Sequence, residues 1–89
     1  MDDEILLSQL EDLANKLGIT VRHEKIDMEE ASTAGGLCRL KGEYFLILNS
    51  RATVKEKIRT AVEALRHFDL NDIFIKPVIR ELLNRNEWE

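Results

Sequence analysis

Eighty-nine residues with 17 acidic and 13 basic side chains, a formal charge of −4 and 44% hydrophobic content describe one globular domain, residues 1–89, with no room for a second core. The composition argues against disorder, and the acidic total disfavours nucleic-acid binding, which rests on a cationic surface that releases counterions. A single cysteine cannot form an intramolecular disulfide, the longest apolar run (Tyr44 to Leu48) is too short for a bilayer, and Met1-Asp2-Asp3-Glu4 is opposite in charge to a secretory leader; a cytoplasmic protein without a membrane segment is expected.

Asp3 to Leu17 reads as an amphipathic helix. Leu6, Leu10, Leu13, Ala14 and Leu17 recur at three- and four-residue steps, with Ser8, Glu11, Asp12 and Lys16 on the other face. Asp2, Asp3 and Glu4 suit the positive end of its dipole, and Gly18 follows as a left-handed cap. Ile19 to His23 then alternates as a half-buried strand does. Lys25 to Ala34 is polar, its acids Asp27, Glu29 and Glu30 read with Glu24 as a solvated loop, and Ser32 to Gly36 has loop composition. Leu37 to Asn49 reads as a hairpin turning at Lys41-Gly42-Glu43, with the apolar arm Tyr44 to Leu48 as a central strand covered on both faces.

Thr53-Val54-Lys55-Glu56 is a capping-box pattern opening a second helix that ends near His67 and buries Val54, Ile58, Ala61, Val62, Leu65 and Phe68. Asp69 to Asp72 has turn composition, and Ile73 to Ile75 is either a short strand or a packed turn. Pro77 fits the first position of a last helix through Leu83, and Asn84 to Glu89 reads as a frayed end. The fold class is α+β: a small three-stranded, mostly antiparallel sheet with two to three helices, in the order α-β-β-β-α-(β/turn)-α.

Chemistry-bearing residues are few. Gly35-Gly36-Leu37-Cys38-Arg39 has two readings: a tight loop approaching a ligand with a thiol and a guanidinium at hand, or a strand-start bend with Cys38 as a small hydrophobe. Gly35, Gly36, Cys38 and Arg39 are therefore the candidate ligand-binding or thiol-enzyme residues. His23, Cys38 and His67 are the soft metal ligands, but their wide separation lacks the paired spacing of metal motifs; no metal site and no cofactor are assigned. Lys55, Arg59 and Arg66 can share a helix face as an anion patch or as a salt-bridged outer surface.

From Leu17 to His67 the chain resembles the ImmA/IrrE-type zinc peptidases. The matching stretches are Leu17-Gly18-Ile19-Thr20-Val21, Ile47-Leu48-Asn49 and Arg59-Thr60-Ala61-Val62-Glu63-Ala64-Leu65-Arg66. The resemblance implies that family's scaffold with its HExxH motif lost, because the histidine positions fall on Val62 and Arg66 and only Glu63 keeps its place. A glutamate without a metal-bound water has no proton to abstract in that chemistry. The function expected is a non-catalytic interaction or regulatory module that binds a protein partner or a second copy of itself as a homodimer. Its interface would draw on the late apolar surplus: Phe68, Leu70, Phe74, Ile79 and Leu83.

Overall fold

Local sequence chemistry sets each element in the computed structural model, which describes residues 2–25 and 35–85. The Asp2 carboxylate accepts a hydrogen bond from the Glu4 amide at 3.2 Å and opens helix α1, Asp3–Lys16. Gly18, at φ 82°, closes it: the Gly18 amide donates to Asn15 and the Ile19 amide to Ala14, both at 3.0 Å. This paired pattern satisfies orphan carbonyls at the helix end and needs a residue free to adopt positive φ. It also drives Ile19 and Ala14 into the core together. The buried stripe is Leu7, Leu10, Leu13 and Ala14, while Leu6 and Leu17 are half-buried.

Strand β1, Thr20–Glu24, β2, Gly35–Leu40, and β3, Glu43–Asn49, form one sheet in the order β1-β3-β2. The β2–β3 hairpin turns through Lys41 and Gly42, both at positive φ (53° and 82°), which matches the right-handed twist of its arms. Glu43 belongs to β3, where it pairs with Leu40. The second pairing differs from the mostly antiparallel expectation. β1 runs parallel to β3, Val21 opposite Leu46 and His23 opposite Leu48, so the sheet is mixed. β1 is not the hairpin neighbour of β3 but joins its far edge, which frees its direction from the tight turn.

Tyr44–Leu48 is central, as its composition implies, yet helices cover only one of its faces among the described residues. Leu46 and Leu48 are fully buried, whereas Phe45 and Ile47 on the opposite face are half-buried. At the end of β3 the Asn49 side chain accepts the Arg51 amide at 3.0 Å, and its carbonyl accepts the Ala52 amide. That turn delivers the chain to Thr53, the N-cap of helix α2, Val54–Leu65. The capping box is complete: Glu56 N–H to Thr53 Oγ1 at 3.1 Å, and Thr53 N–H to Glu56 Oε1 at 2.9 Å.

Residues 73–75 form no strand; they make an irregular ledge that buries Ile75 and leads into helix α3, Pro77–Asn84. α1 and α2 pack on each other and on the sheet, and α3 packs on α2 and α1. The result is an α+β domain with one continuous apolar core. The polar segment expected as a loop falls largely on residues 26–34, and the frayed end on residues 86–89; both stretches lie outside the described residues.

Candidate functional site

The glycine-cysteine-arginine stretch lies within β2, so its backbone is engaged with β3: Gly36 pairs with Ile47, Leu37 with Leu46, Cys38 with Phe45 and Arg39 with Tyr44. Gly35 and Gly36 thus sit in the strand itself rather than in a loop before it. Because successive side chains of a strand point to opposite faces, Cys38 and Arg39 are directed away from each other. Cys38 is exposed on the sheet face bearing Phe45 and Ile47. Arg39 lies on the helix-side face, its guanidinium carbon 5.3 Å from the Tyr44 ring centre. Tyr44 meets Phe68 edge to face at 5.0 Å and 79°. Thiol and guanidinium do not converge on one ligand; Arg39 instead extends an aromatic stack at the sheet edge.

The soft ligands are also apart. His23 is on the edge strand β1 and on the helix-side face, where its Nε2 lies 3.2 Å from Glu11 Oε1 of α1. Cys38 occupies the opposite edge and the opposite face. His67 is exposed just beyond α2. Among the described residues no group of three or more His, Cys, Asp or Glu side chains is arranged to hold a metal ion.

The helix positions of the zinc-peptidase resemblance fall on α2 and its C-cap, Arg66. Val62 is fully buried, Glu63 is exposed, and Arg66 donates from Nε to the Leu83 carbonyl oxygen at 2.9 Å. Arg66 thus satisfies one of the free carbonyls at the end of α3. Lys55 and Arg59 are exposed beyond it, and among the described residues no ion pair involves either side chain.

The late apolar residues resolve into two sets. Ile79 and Leu83 retain only 3% and 7% exposure, so they are core side chains and not free interface residues. The 3.6-residue period of α3 turns them, with Leu82, onto α1 and α2. Phe68 and Leu70 are half-buried against the same core. Phe74 is 78% exposed, and Val78 in the first turn of α3 is 44% exposed.

Phe74 stands on a ridge between two hollows. One, about 390 Å³, lies between α1 and the ledge, with Gln9, Asp12 and Lys16 on one wall and Phe74 and Lys76 on the other. The second, about 570 Å³ and more open, is lined by Ile73, Phe74, Pro77, Arg80, Glu81 and Asn84. Sequence reading missed the first hollow. Asp12 and Lys16 look like an ordinary solvated helix face, and only the packing of α3 brings a wall opposite them. The sole signal in the chain is Gln9, which joins Asp12 and Lys16 at three- and four-residue spacing.

Among the described residues no helix is long and apolar enough to cross a membrane. Compared with known protein families, curated proteins and solved structures, the chain matches none.

Proposed function

We propose that this chain is a non-catalytic interaction module that self-associates as a homodimer through the surface around Phe74. The observation carrying the proposal is a phenylalanine 78% exposed on a ridge flanked by concave surfaces. Burying such a side chain contributes about 1.5–3 kcal/mol, and aromatic anchors seated in partner pockets dominate interface energetics. A two-fold interface presents the same patch on both sides, so each Phe74 meets the hollow beside the other. Arg80 and Glu81, both lining the open hollow, supply the opposite charges that a self-facing patch requires.

A dimer of ordinary size takes about 800 Å² from each partner, against 6126 Å² of surface over the chain. The same reading takes the likeness to zinc peptidases as one of scaffold only, since Val62 and Arg66 supply no zinc ligand, and it assigns the module to the cytoplasm.

Sedimentation across a concentration series tests this. The wild-type chain is expected to pass from monomer to dimer, and Phe74→Glu to weaken association by about thirtyfold or more, the scale of an interface anchor worth about 2 kcal/mol. Phe74→Glu should keep the helical circular dichroism of the wild type because the side chain is exposed. A strict monomer at several hundred micromolar would end the proposal.

A further inference from the structure

We propose that the cleft between α1 and the ledge before α3 binds the C-terminal end of an apolar peptide, a free carboxylate next to a backbone N–H and an aliphatic side chain. The cleft volume of about 390 Å³ falls within the usual range of roughly 300–1,000 Å³ for ligand sites. Its floor is apolar, formed by the buried side chains of Leu13, Ile75 and Ile79. Aliphatic side chains fit that floor.

The polar groups at its margin specify the rest. Gln9 lines the cleft, and its Oε1 is buried without a hydrogen-bond partner. An orphaned buried acceptor costs about 1–3 kcal/mol, and a turn of the Gln9 side chain toward an incoming N–H donor removes that cost. Lys16 and Lys76 reach the margin from two different elements, against the single carboxylate of Asp12. Among the described residues no ion pair occupies either ammonium group. The cleft is thus locally cationic on a chain whose total charge is −4. The start of α3, which no side chain caps, stands at Lys76 and adds the positive end of its dipole. A carboxylate answers the lysines, the preceding N–H answers Gln9, and the last side chains fill the floor.

This site goes beyond self-association and does not rest on it. The test is fluorescence anisotropy of a peptide ending Gly-Ser-Gly-Leu-Leu, dye-labelled at its N-terminus, with protein dilute enough to be monomeric by light scattering. The free-acid peptide is expected to bind at least tenfold more tightly than the same peptide ending in a carboxamide. Lys76→Gln and Lys16→Gln should each weaken the acid severalfold and leave the carboxamide unchanged. Gln9→Met should weaken both forms alike. All three substitutions lie on the surface or margin, and unchanged circular dichroism separates lost binding from lost folding. Equal binding of acid and carboxamide, or no binding of either up to the highest concentration at which the protein stays monomeric, overturns the proposal. So does N-acetyl-leucine competing as well as the peptide, which would make the occupant a small acylated amino acid. A protein that dimerises yet shows no acid preference removes this site alone and leaves self-association standing.

Discussion

Arg66 Nε donates to the Leu83 carbonyl oxygen across 2.9 Å, tying the end of α2 to the last turn of α3. The bond joins two residues 17 positions apart in sequence and satisfies a carbonyl that the helix itself leaves open. α3 has only eight residues, too few for an isolated helix to be stable, so it depends on such tertiary ties. Arg66→Met keeps the aliphatic stem and removes the donor. The expected loss is about 1–2 kcal/mol in urea-induced unfolding, with faster amide exchange in α3 than in α1. An unchanged unfolding midpoint and unchanged exchange would show the bond contributes nothing.

The hairpin turn holds a correctable strain. Lys41 adopts φ 53° beside Gly42 at 82°, a pair of left-handed residues for which asparagine followed by glycine is the preferred sequence. A lysine side chain gains nothing in that conformation, whereas asparagine tolerates it readily. Lys41→Asn is expected to raise stability by about 0.5–1 kcal/mol, read as a higher urea midpoint at constant slope. A lower midpoint would contradict the turn geometry.

Tyr44 and Phe68 give a coupling that a double-mutant cycle can isolate. Their rings meet edge to face at 5.0 Å, joining the hairpin arm to the chain just beyond α2. Tyr44→Leu, Phe68→Leu and the double variant should reveal an interaction of about 0.5–1.5 kcal/mol beyond the separate burial of each ring. Additive single effects would mean that the rings merely fill space.

Much of the fold was legible because its signals are local. The leucine spacing of α1, the Gly18 cap, the Thr53–Glu56 box, the hairpin about Lys41-Gly42 and Pro77 at the start of α3 all act within a few residues. Each follows from helical period, capping or turn chemistry that any chain carries with it. The centrality of Tyr44–Leu48 was legible in its apolar run, and β1 and β2 supply its two edges; the expected cover on both faces was not met, since the described helices lie on one face alone.

The candidate site was less legible because its features depend on what packs opposite what. Composition marks Gly35-Gly36-Leu37-Cys38-Arg39 as unusual, yet the β2 register sends Cys38 and Arg39 to opposite faces. Counting late apolar residues places Ile79 and Leu83 with Phe74, but only the docking of α3 separates two buried side chains from one exposed at 78%. The cleft beside Gln9 leaves in the sequence only the three- and four-residue spacing of Gln9, Asp12 and Lys16 on one helix face.

The chain by itself therefore determined the kind and order of its elements, since propensity and capping are properties of neighbouring residues. The direction of β1, the face of β3 that no described helix covers, the sorting of the last apolar residues and the cleft between α1 and the ledge were decided by tertiary structure. These four features are relations between segments far apart in sequence, and burial at such a contact depends on the shape of both surfaces.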